Sequence, residues 1–378
     1  MARSMLTGVI LRNSLLLVAG TILAVVWANV DLASYDRATH PLHFWANDVG
    51  MVFFFALAAK DVFESTLPGG PLASPRQALS PLAAAVGGMV APALIYLALS
   101  SNVGPAALSR GWAIPCATDI AFSAMIARII FPSRHPAIPF LLLLAIADDA
   151  LGLIILAVFY PSGPLSVVAL ITLMAAAVAA AVWLKWRRVH SFWPYVIVPG
   201  VLSWAALYFG GFHPALALVP IVPFMPHRLH YLALDHPREG HHLDTLSQFE
   251  HWWSTPVQCL LFFFGLANAG VAFEQIGPGT VYVLAALLVG KPIGILLFSS
   301  AVRLAGARLP EGLHVQDLLV IGMVAAIGFT VSLFFAAAAF PPGPSLAETK
   351  MGALLSFLAV PLALMASRLL KGRGHLSP

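Results

Sequence analysis

The sequence predicts an all-α polytopic membrane protein with twelve transmembrane helices, and three observations predict it. Of 378 residues, 60% are hydrophobic and only 10% charged, with a mean hydropathy of +0.89, a balance outside that of soluble domains. The apolar residues come in continuous runs, each near the 20 or so residues a helix needs to cross about 30 Å of hydrocarbon, and they do not alternate as the strands of a membrane barrel do. The basic residues, finally, collect on one side of the membrane once these runs are threaded through it.

The runs lie near 8–30, 44–63, 79–100, 112–131, 137–160, 164–184, 192–209, 212–225, 254–273, 280–301, 315–340 and 349–370. The first is too long, and too poor in small residues at its end, for a removed signal peptide, and is expected to stay as the first helix. The second carries Lys60 near its end and the fourth opens around Pro115. The fifth carries Asp148 and Asp149, and the tenth Lys291. The seventh and eighth come from one long stretch divided at Gly210-Gly211-Phe212-His213. With both termini in the cytoplasm, Arg3, Arg12, Lys60, Arg76, Arg128, Arg134, Lys185, Arg187, Arg188, Arg228, Arg238, Arg303, Arg308, Arg368, Lys371 and Arg373 fall inside. Only Arg37, Arg110 and Lys350 fall outside, as the positive-inside rule asks. The pI near 9.2 therefore reflects flanks facing anionic lipid and not a nucleic-acid surface. Cys116 and Cys259 lie in separate spans and have neither disulfide nor metal-ligand spacing.

Asp148 and Asp149 sit mid-span in the uncharged run 137–160. A charged side chain at the bilayer centre costs at least roughly 2.5–3.5 kcal/mol on insertion scales, so buried acids point to transport or proton relay. Two neighbouring carboxylates cannot both ionise cheaply and titrate as a coupled unit, while a dehydrated cation favours the ionised form; protons and cations then compete for the same oxygens. A salt-bridged pair serving only helix packing is the alternative. Asp119 follows Pro115 and Thr118, where a proline that removes a backbone donor allows the helix to open, or marks only an ordinary first turn. Lys291 is the one mid-span cation, and a buried aspartate is its natural partner, in a structural or a functional bridge. Gly322 and Ala326-Ile327-Gly328-Phe329-Thr330 interrupt the eleventh span, either for close packing or as a second break. The fourth and eleventh spans hold matching places in the groups three to five and ten to twelve, the pattern of an inverted-repeat transporter. One transmembrane domain over 1–378 is expected, with repeats near 79–160 and 280–370 and a His-rich cytoplasmic loop at 226–253. That loop's His227, His230, His236, His241, His242 and His251 could sense pH or bind a transition metal, though the spacing fits no standard zinc pattern and a plain polar loop is the alternative.

These residues resemble the NhaA-type sodium/proton antiporters over nearly the whole chain. The likeness runs through Asn47-Asp48, Phe53-Phe54, Gly87-Gly88-Met89, Ala117-Thr118-Asp119-Ile120-Ala121-Phe122, Asp148-Asp149, Ala267-Asn268-Ala269-Gly270, Gly290-Lys291-Pro292, Leu309-Pro310-Glu311-Gly312 and Gly328-Phe329-Thr330. The resemblance implies an NhaA-like fold with two crossing discontinuous helices, Gly328 and Phe329 belonging to the second. It implies Asp149 as the main cation and proton carboxylate, Asp148 as the partner that exchanges Lys291 for the ion, and Thr118 beside the site. Asp119 and Lys291 would balance opposite half-helix dipoles. Na⁺ or Li⁺ in exchange for H⁺, an inner-membrane homodimer and no cofactor complete the expectation.

Departures also stand out. Where the family closes its second helix with Gly-Leu-Glu-Val-Lys-Arg-Glu, this chain has Ala58-Ala59-Lys60-Asp61-Val62-Phe63-Glu64, which reads as one acid kept at Asp61 and the basic pair lost. Glu250-His251 match, but Ser254-Thr255-Pro256 replaces the His-Pro-Trp that follows. After the doublet, Ala150-Leu151-Gly152 replaces Leu-Gly-Ala. The transport site is thus expected intact, with pH regulation resting on Asp61, Glu64, Glu250 and His251. A carrier of an organic solute coupled to H⁺ or Na⁺ is the competing reading; an intramembrane aspartyl protease lacks its Gly-x-Gly-Asp and Tyr-Asp patterns.

Overall fold

The computed structural model describes residues 2–103, 106–227, 244–306 and 309–371. The expected His-rich loop lies mostly at 228–243, outside the described residues, so only His227 and His251 of its six histidines are placed. Every regular element among the described residues is helical. They are α1 (Ala2–Val30), α2 (Leu32–Thr66), α3 (Pro75–Val103), α4 (Ile120–Ile130), α5 (Ala137–Phe159), α6 (Val167–Trp186), α7 (Trp193–Gly210), α8 (Thr245–Asn268), α9 (Pro278–Leu304), α10 (Val315–Ala325), α11 (Phe329–Ala339) and α12 (Pro344–Leu370).

Seven of these (α2, α3, α5, α6, α7, α9 and α12) are long and apolar enough to cross a membrane. The segment Ala107–Cys116 with α4, and α10 with α11, form two further spans bent by 47° and 53° at short breaks. Leu15, Ile171, Val168 and Trp186 are exposed, which suits side chains that face lipid. In hydrocarbon, apolar contact between helices brings no solvent-driven gain, so close packing at small residues has to hold them together. Two such contacts organise the molecule. Gly87 of α3 and Gly294 of α9 face each other so closely that a Cβ on either would collide with the other's carbonyl oxygen. Gly20 of α1 meets the Phe262 carbonyl of α8 in the same way, with Gly265 beside Leu17.

Three differences from the sequence reading have local causes. The expected eighth span, 212–225, is not an α-helix. It folds as short 3-10 turns at Pro214–Leu216 and Val222–Phe224, because Pro214, Pro220 and Pro223 each remove a backbone donor and clash with the preceding turn. The ninth helix starts before its apolar run: Asp244 caps it by accepting from Ser247 N at 2.7 Å, which draws Ser247, Gln248, Glu250 and His251 into helix. Helix α2 contains a π-helical turn, Phe44–Gly50. The widened turn carries Asn47 and Asp48, whose carbonyl accepts from Trp204 Nε1 at 2.9 Å.

Candidate functional site

Both broken spans open where sequence removes the means to continue a helix. Pro115 closes the 3-10 turn Ile114–Cys116. The chain then runs extended through Ala117 (φ −79°, ψ 151°) to Asp119 (φ −84°, ψ 102°), which is the N-cap of α4 and accepts from Phe122 N at 3.3 Å. In the second break α10 ends at Ala325 and α11 begins at Phe329. Between them Gly328 has no room for a side chain, since a Cβ would strike Ser332 Oγ and lie 3.0 Å from the Ala117 carbonyl oxygen. The two breaks therefore cross at a glycine.

Backbone groups freed by each break find partners in the other, as a segment without water requires. Asp119 N donates to Ile327 O at 2.7 Å. Ser332 Oγ donates to Ile114 O at 2.7 Å, and Ser123 Oγ to Val324 O at 3.0 Å. Thr330 N donates to Asp119 Oδ2 at 3.2 Å, and the Thr330 hydroxyl donates to the same oxygen. One carboxylate thus caps the N-termini of both α4 and α11. That is the end of a helix where negative charge is stabilised.

Lys291 occupies the opposite pole. It is fully buried, donates to Cys116 O at 2.7 Å, and lies 3.3 Å from Asp148 Oδ2. The Cys116 carbonyl ends the first half of the broken fourth span, so the ammonium meets a helix C-terminus. Thr118 Oγ1 donates to Asp148 Oδ2 at 2.6 Å, which leaves Asp148 Oδ1 buried with no hydrogen-bond partner. Adjacent positions on a helix point in different directions. Asp148 accordingly turns to Lys291 and Thr118, while Asp149 lines a cavity of about 460 Å³.

That cavity runs from buried to exposed residues. At its inner end are Asp149, Asp119, Thr118 and Thr330; Asp61, Glu250 and Arg128 stand on its outer rim. Leu17, Phe54, Leu57 and Leu261 add apolar walls. Beside the rim lies a cluster whose acids, Asp61, Glu64 and Glu250, the sequence reading grouped for pH regulation but whose central lysine it did not place. Lys60 Nζ lies 2.6 Å from Glu250 Oε2, 2.8 Å from Glu64 Oε2 and 3.5 Å from Asp61 Oδ1, its side chain only 7% exposed. The i,i+4 spacing of Lys60 and Glu64 is readable in sequence, whereas the bridge to Glu250 on α8 is not. Lys60 thus supplies a cation where the comparison with the family pattern suggested that basic charge was gone. His251 is exposed, and none of the Lys60 contacts involves it.

The remaining expected residues are placed apart from this set. Phe329 is buried against Phe122 and Phe357, where it packs the crossing and does not face the cavity. Asn47 and Asn268 exchange amide hydrogen bonds at 2.8 and 3.3 Å between α2 and α8. Among the described residues no His, Cys, Asp and Glu group could hold a transition metal.

Comparison with known proteins gives a consistent picture. The family described as Na⁺/H⁺ antiporter 1 matches residues 9–367. The chain is 46% identical over 374 residues to a protein of Geobacter metallireducens named Na(+)/H(+) antiporter NhaA, with 94% of this chain and 96% of that one covered. It is 44% identical over 367 residues to a protein of the same name in Desulfitobacterium hafniense, covering 94% of each. Among solved structures it is similar in fold to the sodium proton antiporter MjNhaP1 from Methanocaldococcus jannaschii, with a TM-score of 0.52 at 16% identity and coverage of 94% and 91%.

Proposed function

The chain belongs to the Na⁺/H⁺ antiporter 1 family and is a Na⁺/H⁺ antiporter, and we propose that exchange takes place at Asp149 and Asp148 by alternating access. The observation that carries this assignment is the cavity that Asp149 lines together with Thr118, Asp119 and Thr330 of the two broken spans. Its rim carries Asp61 and Glu250, both held by Lys60, so the open side is the cytoplasmic one under a topology with both termini inside. A cation passing Asp61 and Glu250 reaches the half-buried Asp149, which lines the cavity, before the buried Asp148. Asp148 Oδ1, unpaired and adjacent, is the next oxygen available to it. Binding there draws Asp148 away from Lys291, and protonation of the carboxylates from the other side expels the ion.

Two acids and one lysine allow more protons than cations to move in each cycle, which makes exchange electrogenic. Each net charge then couples to about 2.3 kcal/mol per 100 mV of membrane potential. We further propose Na⁺ or Li⁺ as the cation, the inner membrane as the location and a homodimer as the assembly. The repeats near 79–160 and 280–370 would be inverted copies, each carrying one broken span in its middle. Asp61, Glu64 and Glu250, with Lys60 among them, would tune the pH response, and His251 lies next to them in sequence.

The test is transport by purified protein in proteoliposomes loaded with a pH dye and given Na⁺, Li⁺ or K⁺ in turn, with and without a valinomycin-set potential. Na⁺- or Li⁺-driven proton movement that responds to the potential, and that Asp149→Asn abolishes in folded protein, is expected. Full exchange by the Asp149→Asn protein would falsify the site assignment. Uptake of an organic solute coupled to H⁺ or Na⁺, with no Na⁺- or Li⁺-driven proton movement in its absence, would favour the competing carrier.

A further inference from the structure

Three hydroxyl groups hold the crossing together, and they differ in what they face. Ser123 and Ser332 are fully buried, cap carbonyls of the opposite span, and do not line the cavity. Thr330 lines the cavity with Asp119 and Asp149, and both its backbone N–H and its hydroxyl donate to Asp119 Oδ2. With Phe122 N on Oδ1, three of the roughly four lone-pair positions of that carboxylate are taken. Asp119 thus lies in the same cavity as the transport carboxylate while nearly all of its accepting capacity is used up by helix ends.

We propose that Thr330 is a positioning residue for ion handling: by holding Asp119 against the two helix N-termini, it keeps that carboxylate from becoming a ligand to the cation at Asp149. This rests on the antiport reading above. Without the hydroxyl, Asp119 Oδ2 keeps only the Thr330 N–H and regains an acceptor position facing the cavity. A hard cation held by oxygens from two acids binds more tightly and leaves more slowly. Tighter binding of the ground state lowers KM without helping turnover. The hydroxyl therefore matters through Asp119, not through the cation, and its loss should split KM from kcat.

The experiment measures initial rates against Na⁺ concentration in proteoliposomes, with Na⁺ binding by calorimetry, for wild type, Thr330→Val, Thr330→Ala, Thr330→Ser, Ser332→Ala, Asp119→Asn and the Asp119→Asn/Thr330→Val pair. Thr330→Val is expected to lower KM and the dissociation constant by roughly threefold to tenfold, the net weight of one ordinary hydrogen bond, and to lower kcat as well. Thr330→Ala serves in the same way if the valine protein does not fold. Thr330→Ser should restore wild-type values, and Ser332→Ala should lower thermal stability with KM unchanged. In the Asp119→Asn background Thr330→Val should shift KM no further. An unchanged or raised KM in a transporting Thr330→Val or Thr330→Ala protein overturns the inference, as does a shift that persists without the Asp119 charge. A wild type that exchanges no Na⁺ for H⁺ overturns the antiport reading itself, a separate and visible failure.

Discussion

Two lysines sit among carboxylates, Lys291 beside the buried Asp148 and Lys60 beside the rim of the cavity, and they do so in opposite ways. Lys291 is fully buried with its side-chain partner Asp148, and its geometry is completed by one backbone carbonyl and one threonine. Lys60 is buried too, but its three acids, Asp61, Glu64 and Glu250, are 50%, 31% and 49% exposed. Water and salt screen the rim and scarcely reach the fully buried Lys291–Asp148 pair. The inner pair is all or nothing, because removing one partner strands the other in a dry site. The outer cage can be adjusted in small steps, which suits tuning and not chemistry.

The contrast yields a graded set of expectations. The largest is for Asp149→Asn against Glu250→Gln, measured as Na⁺-driven proton flux. The first should abolish transport, because an amide neither titrates nor carries charge; the second should keep most of the rate. Equal losses would erase the distinction between the two ends. Next comes Lys291→Gln, which leaves Asp148 without its counter-charge and should cost about 3–5 kcal/mol, seen as a large drop in Tm. Unchanged melting would show that Asp148 does not depend on the lysine.

Lys60→Gln should cost only about 1 kcal/mol, discounted for its solvated partners, with a loss that shrinks as salt rises. A loss as large as that of Lys291→Gln, or one indifferent to salt, would mean that the cage acts as a buried pair. The smallest effect concerns pH. If protons and Na⁺ compete at Asp148 and Asp149, the apparent KM for Na⁺ rises as pH falls, and saturating Na⁺ largely restores transport at low pH. The Glu250→Gln/His251→Gln double mutant should follow the same curve at saturating Na⁺. Acid inactivation that Na⁺ does not rescue, and that the double mutant removes, would assign a switch to the rim.

Most of the inner site was legible because lipid makes polar residues conspicuous. Asp119, Asp148, Asp149 and Lys291 stand out in uncharged runs, and Pro115 and Gly328 mark the breaks. What sequence could not give was direction. That Asp148 turns to Lys291 while Asp149 turns to the cavity follows from the rotation of α5 against its neighbours. The roles of Ser123, Thr330 and Ser332 depend on contacts between distant spans, and a hydroxyl in an apolar run carries no sign of its partner. At the rim the signal was present but masked. Lys60 among charged neighbours reads as an ordinary inside charge until α8 brings Glu250 to it. The proline-rich stretch 212–225 misled by hydropathy, which counts apolar residues without asking whether their backbone can form a helix.

The crossing also bears on how the chain is made. Asp119 and the Thr330 that caps it are 211 residues apart, roughly 10–40 s of synthesis at 5–20 residues per second. Throughout that interval the extended stretch at 117–119 has none of the eleventh-span groups that later satisfy it, and an unpaired backbone group in hydrocarbon costs several kcal/mol. The fourth span therefore cannot hold its final shape when it leaves the ribosome. It has to wait as a straighter helix, or beside water or a protein insertase, until α10 and α11 arrive. Chains cut short before residue 315 should be recognised and degraded as unfinished, even though Asp119, Asp148 and Asp149 are already present in them.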